Sequence, residues 1–398
     1  MLDFEFYAPT RVMFGRDSLK GLVGQLNKTK ATKVMLAHDG SKATQYIVDD
    51  VIKVLNGNNF KFVEFAGIQP NPLLSRVMDG IEVCKKEKID FILAVGGGSV
   101  IDTVKGIVGG ALLRDDEDLW RDYLYPKNRI TTEEGAIPMG VVLTIPAAGS
   151  EASFGTVITH DELKMKRYTG GEALLPKFAI LNPEYTMSLP PYMTACGVFD
   201  ILSHLMERYF VSFPHVDLSD RMIEAVARTV LYSAPTLVDD PKNYDARAEI
   251  MWASCIAHNK ILEMGRTHGD WASHDISHEV SATYDLAHGG ALAIITPAWM
   301  KYVYKHNPAK FHQFAARVFD IDVAYDRIDD VVDELIARLE NFCKVMGIPT
   351  KLSGAGINDS KFELMASNAL DGREYVGTGH GIYLLNKEDV INVFKLAL

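Results

Sequence analysis

The chain has 398 residues, 47% of them apolar and 23% charged, which suits a soluble globular protein and exceeds what one ordinary core holds. Its 52 acidic side chains outnumber 41 Lys and Arg, and the formal charge of −11 argues against a broad nucleic-acid or anionic-membrane surface. No run approaches the roughly 18–20 uninterrupted apolar residues of a membrane-spanning helix, and the opening MLDFEFYAPT has acids where a signal peptide has a basic flank.

In chain order, residues 33–37 (KVMLA) are predicted as a buried strand and 43–55 as the helix after it. A strand over 61–65, an amphipathic helix over 74–88 and a strand over 89–95 (IDFILAV) follow, the last running into Gly96-Gly97-Gly98-Ser99 and another helix. Strands alternating with helices in this way imply parallel βαβ units. Further strands are expected at 139–145, 156–159 and 178–181. After Leu189-Pro190-Pro191 the character changes to helix-length amphipathic runs, such as 218–238 and 246–264. Paired prolines suit a hinge, since proline is accepted at a helix start and not inside it. An α/β domain over residues 1–189 and an all-helical one over 190–398 are expected, with a cleft between them as the place for a site. The four cysteines, Cys84, Cys196, Cys255 and Cys343, are scattered without a CxxC pair, so buried thiols in a reducing cytoplasm are expected.

Glycines straight after a buried strand let backbone approach a phosphate, and the following helix N-terminus supplies free N–H groups and a favourable dipole. Gly96, Gly97, Gly98 and Ser99 fit this, with Asp102 in the first turn. A tight strand-to-helix turn without ligand would need the same glycines. The run is neither GxGxxG nor a Walker loop, so it points to a diphosphate without naming its bearer. Asp39, just beyond the first of these strands, could accept both ribose hydroxyls of NAD and repel the extra phosphate of NADP, although Asp39-Gly40-Ser41 is also ordinary turn chemistry. A second polar loop, residues 144–151, could touch the same ligand.

Asp200 and His204 lie i,i+4 among Phe199, Ile201, Leu202 and Leu205, so they share one face of a largely buried helix. A buried carboxylate beside an imidazole must be paired or hold a metal. His274 and His278 repeat the spacing, and His288 follows shortly after. A single histidine is more often structural, and His38, His160, His215, His258, His306, His312 and His380 are read so, His268 less firmly. Asp and three His together call for a divalent metal. One hard oxygen with borderline nitrogens suits Fe(II) or Zn(II) over Mg or Ca.

Taken together, these pieces resemble the iron-containing (group III) alcohol dehydrogenases over essentially the full length, and most of all their butanol dehydrogenase and broad-range aldehyde reductase branch. The matching motifs are Tyr7-Ala8-Pro9-Thr10 with Phe14-Gly15, Pro70-Asn71-Pro72, residues 96–102 (GGGSVID), Gly149-Ser150-Glu151, residues 197–204 and residues 274–289. The resemblance implies the dehydroquinate synthase-like fold, an N-terminal dinucleotide-binding domain with a parallel sheet and an all-α C-terminal domain. It implies Asp200, His204, His274 and His288 as the metal ligands and His278 as a non-ligand histidine beside the nicotinamide. It implies cofactor contacts at Asn71, Gly97, Gly98, Ser99, Asp102, Thr144 and Lys166, and a homodimer. Two departures from the branch stand out. Ala148 replaces a usual threonine in the second polar loop, and Asp39 occupies the position that discriminates the cofactor, which favours NAD(H) over the branch's NADP(H).

The expected reaction is hydride transfer between a nicotinamide cofactor and a small primary alcohol or aldehyde, with the metal polarising the oxygen and His278 a candidate proton relay. Alternatives are a glycerol dehydrogenase, a dehydroquinate synthase, a metal-dependent phosphohydrolase and, outside enzymes, a nucleotide-sensing module with a structural metal. The basic cluster that a synthase needs for its phosphorylated acidic substrate is not evident around residues 274–288, where Asp270, Asp275, Glu279 and Asp285 dominate.

Overall fold

A computed structural model of the chain describes residues 1–124, 130, 134–324 and 327–398. Two compact units result, one of residues Tyr7–Leu189 and one of Pro190–Leu398 together with Met1–Phe6.

The first unit holds strands β1 (Arg11–Phe14), β2 (Lys33–His38), β3 (Lys61–Phe65), β4 (Phe91–Gly96), β5 (Met139–Leu143), β6 (Gly155–Thr159), β7 (Lys166–Gly170) and β8 (Phe178–Leu181). Its helices are α1 (Leu22–Lys28), α2 (Gln45–Gly57), α3 (Leu74–Glu87) and α4 (Gly98–Ala111). Six strands form one sheet in the order β1-β8-β5-β4-β2-β3, every neighbouring pair parallel. Val34 to Ala37 on β2 and Phe91 to Val95 on β4 are all fully buried, as continuous apolar strands in a sheet covered on both faces must be. Phe91 stacks on Phe178 with centroids 5.8 Å apart, in a core shared with Leu22, Ile47, Val51 and Leu55 from the helices.

Several expected bounds shift for local reasons. The strand at 89–95 begins only at Phe91, because the Asp90 carboxylate turns back to accept the Thr32 and Lys33 N–H groups. The strand at 139–145 stops at Leu143, ahead of Ile145-Pro146. Two strands were not expected. β1 is a half-exposed edge without alternation, and β7 buries the polar run KRYTG. β6 and β7 pair with each other, antiparallel, as a separate ribbon.

The second unit is helical: α5 (Pro191–Tyr209), α6 (Asp217–Ser233), α7 (Thr236–Asp239), α8 (Tyr244–His258), α9 (Ala272–Tyr284), α10 (His288–Val303), α11 (Pro308–Phe319), α12 (Ile328–Met346), α13 (Phe362–Leu370) and α14 (Lys387–Ala397). The run expected at 218–238 divides into α6 and α7 at Pro235, which has no N–H to give to a helical hydrogen bond and stands at the N-cap of α7. The run at 246–264 ends at His258, with Lys260 in the left-handed region at φ 73. Phe199, Phe210, Trp299, Phe311 and Phe314 fill the core. Gly289 permits a close approach of α10 to α5, since a Cβ there would lie 1.9 Å from the Cys196 carbonyl oxygen. Among the described residues no helix is long and apolar enough to cross a membrane.

Candidate functional site

In the helical unit, α5 carries Asp200 and His204 on its buried face, α9 carries His274 and His278, and α10 opens with His288. One oxygen of Asp200 and one ring nitrogen each of His204 and His274 all lie within 4.8 Å of one another, and all three residues are buried. His204 Nε2 is 3.3 Å and His288 Nε2 3.8 Å from Asp200 Oδ1, so His288 approaches the same carboxylate from α10 while remaining partly exposed. His278 stands aside, its ring centroid 5.2 Å from that of His288 and 6.2 Å from that of His274.

Burial, the neighbouring His274 and the Arg208 guanidinium together push the His204 pKa well below its ordinary 6.5, so the ring is neutral and keeps a lone pair for ligation. His274 Nε2 is buried without a hydrogen-bond partner among the described residues. A bare, buried imidazole nitrogen facing a carboxylate and a second neutral imidazole fits a divalent cation and fits little else.

Around these groups lies a polar shell. Glu207, one helical turn beyond His204, accepts from His274 Nδ1 and the His274 N–H (each 3.0 Å), from Ser273 Oγ (2.6 Å) and from the Trp271 N–H (2.6 Å). His258 on α8 brings its Nδ1 to 3.0 Å from His204 Nδ1. Arg208, fully buried, donates to the His204 carbonyl at 2.9 Å and to Glu263 at 2.9 Å, with His258 Nδ1 also 2.9 Å away. An open groove of this unit, lined by Phe213, His215, Asp220, Lys310 and Gln313, contains none of these residues, and its Asp220 is already bonded to Arg266, Lys310 and Gln313.

In the α/β unit Asp39, Gly97 to Ser99 and Thr144 follow the ends of β2, β4 and β5, three adjacent parallel strands whose carboxyl ends lie on one side of the sheet, whereas Asn71 follows β3 and Lys166 begins β7. That side is where open α/β sheets bind nucleotides. Gly97 precedes α4 and Gly98 begins it, with no side chain capping the helix N–H groups. A Cβ at Gly97 would meet Ile145 at 2.9 Å, whereas one at Gly98 would find only Ala148 at 3.9 Å, so the space above Gly98 is open. Thr144 is buried and its N–H bonds the Gly96 carbonyl at 3.1 Å. Asp39 Oδ1 accepts from the Ser41 N–H at 3.0 Å and from Thr44 Oγ1 at 2.7 Å.

Asn71, left-handed at φ 55, accepts from Lys166 Nζ on β7 at 3.2 Å, so two expected contacts come together. Asp102 serves the protein on both oxygens, Oδ1 accepting from Ser150 Oγ at 2.6 Å and Oδ2 from the Val157 N–H at 2.9 Å. Lys105, on the same helix and fully buried, donates to the carbonyls of Ser150, Ser153 and Gly155 at 2.7, 2.8 and 2.9 Å. Its three protons thereby fix the second polar loop against α4.

Family models match the chain in both halves: iron-containing alcohol dehydrogenase over residues 9–183, and the C-terminal part of the Fe-containing alcohol dehydrogenase family over residues 194–398. The chain belongs to the iron-containing alcohol dehydrogenase family. Among its relatives, the NADH-dependent butanol dehydrogenase A of Clostridium acetobutylicum is 36% identical over 99% of each chain. The NADPH-dependent aldehyde reductase YqhD of Escherichia coli (strain K12) is 34% identical over 96% of this chain and 97% of its own. The crystal structure of NADH-dependent butanol dehydrogenase A from Thermotoga maritima superimposes with a TM-score of 0.92 at 35% identity, covering 99% of this chain and 98% of that one.

For this iron-containing alcohol dehydrogenase, sequence reasoning overlooked Glu207 and Arg208 and left His258 among ordinary structural histidines. Glu207 was within reach, since Asp200, His204 and Glu207 fall at i, i+4 and i+7 on one helical stripe. His258 had no such signal, because only the packing of α8 against α5 brings it to His204. Lys105, one helical turn beyond Asp102, was also missed.

Proposed function

We propose that this protein transfers a hydride between NAD(P)(H) and a small primary alcohol or aldehyde of butanol type. Membership of the iron-containing alcohol dehydrogenase family supports this over a phosphohydrolase or a nucleotide sensor. The observation that carries the reading is the convergence of Asp200, His204 and His274 with His274 Nε2 buried and unpartnered.

In this reading Asp200, His204, His274 and His288 hold Fe(II) or Zn(II), and the family name itself points to iron. When bound, the metal polarises the oxygen of the alcohol or aldehyde while the nicotinamide carries the hydride. The remaining work falls to the chain. Gly97, Gly98 and Ser99 offer backbone N–H groups to the diphosphate, and Asn71, Asp102, Thr144 and Lys166 shape the walls of that site. His278, beside His288 without joining the cluster, is suited to hold the proton exchanged with the alcohol oxygen. Asp39 favours NAD(H) over NADP(H), because a carboxylate after β2 repels an added ribose phosphate.

A homodimer in the cytoplasm completes the proposal. Leu2, Phe4 and Phe6 are exposed apolar side chains of the kind subunits cover, and four buried, unbridged thiols suit a reducing compartment.

The test combines metal analysis of the purified protein with an aldehyde panel assayed with NADH and NADPH. One metal per chain and turnover of C3–C5 aldehydes are expected. His274→Ala should lose the metal and lower kcat/KM at least about a thousandfold, since several kcal/mol of oxygen polarisation vanish with the ion. Full metal content and activity in that variant would overturn the ligand assignment.

A further inference from the structure

At the start of α9 the cap from a nearby residue is Asp270 Oδ1, which accepts from the Ala272 N–H at 3.0 Å. The N-cap residue of the helix, Trp271, is left-handed at φ 64 and makes no side-chain capping bond. The helix N-terminus nonetheless leaves N–H groups in need of acceptors, and burial makes an unfilled need costly. Glu207 fills it from α5. One of its oxygens takes the Trp271 N–H, and the other takes the His274 N–H and Ser273 Oγ. The second oxygen also lies 3.0 Å from His274 Nδ1.

That fourth contact has chemical content. Oε1 already receives two donors, so a carboxylate oxygen faces the ring and Nδ1 must carry the hydrogen. A neutral imidazole has one N–H only, so Nε2 is then bare. Nε2 is the atom found buried and unpartnered, on a residue that shares its cluster with Asp200 and His204.

We infer that Glu207 is a positioning residue: it locks His274 in the Nδ1–H tautomer and fixes the ring by the same contacts that cap α9. The inference rests on the reading of His274 as a metal ligand. It assigns a task to a residue outside the cluster, whose contacts at Trp271, Ser273 and His274 complement the Asp270 cap at Ala272. A carboxylate behind a ligating imidazole also makes the ring a stronger donor.

The experiment uses full-length, metal-free protein titrated with Zn(II) against a chromophoric chelator, comparing wild type, Glu207→Gln and His274→Ala. Glu207→Gln keeps size and one acceptor while removing the charge, and it should weaken Zn(II) binding about tenfold or more. Affinity within about twofold of wild type would overturn the inference. A second measurement is independent of the variant's folding: 15N resonances of the His274 ring in metal-free wild type, assigned by difference from His274→Gln. The Nδ1–H form is expected, and a dominant Nε2–H form would overturn the inference. If wild type and His274→Ala bind Zn(II) equally, the ligand reading fails, and the ring tautomer alone decides the role of Glu207.

Discussion

Glu151 and Lys105 bury opposite charges in the α/β unit at 1% and 0% exposure. Burial pushes the Glu151 carboxyl up to about 7, against the lowering effects of its own N–H and of Lys105. Burial pushes the Lys105 ammonium down to about 8, against the charges of Asp102 and Glu151. For Glu151 the folded pKa stands above the unfolded value of 4.5, so its contribution to stability is complete below pH 4.5 and is lost as pH rises to about 7. Denaturant titrations from pH 4.5 to 7.5 should show wild type losing ~3 kcal/mol relative to Glu151→Gln. A pH-independent difference would refute the assignment. At Asp39 the expected preference is for NADH, and Asp39→Asn should raise relative kcat/KM with NADPH by about tenfold, equivalent to ~1.4 kcal/mol of relieved repulsion. A wild-type preference for NADPH of about tenfold or more would defeat that reading. The glycine loop, Asp39 and the histidines are visible in the sequence because each is a side-chain type at a telling spacing. Lys105 is not, because its meaning comes from burial alone, and Glu151, though part of the Gly149-Ser150-Glu151 motif, gives no sign there of being buried beside it.

Helices α5 and α10 bring Asp200, His204 and His288 to one place, and their approach depends on Gly289. In Gly289→Ala the added methyl meets backbone on α5, which cannot rotate away as a side chain would. Calorimetry should show a loss of ~1–3 kcal/mol, and the metal should be held more weakly because His288 is the adjacent residue. Unchanged melting and metal content would show that the helices part freely. At this scale legibility follows burial on two faces. β2, β4 and β8 are continuous apolar runs and could be read directly. β1 is half exposed and β7 polar within, and so neither pattern nor composition marks them. α6 and α7 were joined in the reading although Pro235 stands between them.

The residues assigned to the metal all belong to the helical unit and those assigned to the nucleotide all belong to the α/β unit, each with its own core. Ligand removal should therefore act locally. Hydrogen exchange followed by mass spectrometry should quicken in α5, α9 and α10 after chelation. It should slow over residues 96–102 and 144–153 when NADH is added. Equal changes in both units after either treatment would contradict this division of labour.

The sheet also imposes an order of assembly. Among the described residues β1 pairs with β8 alone, Arg11 opposite Phe178 and Phe14 opposite Leu181. A ribosome releases this chain from its N-terminal side, so Arg11–Phe14 waits unpaired until the whole α/β unit has been translated. During that wait a bare strand lies next to Phe4, Phe6 and Tyr7. Slow codons or crowding before residue 181 would therefore prolong the interval in which nascent chains can pair with one another.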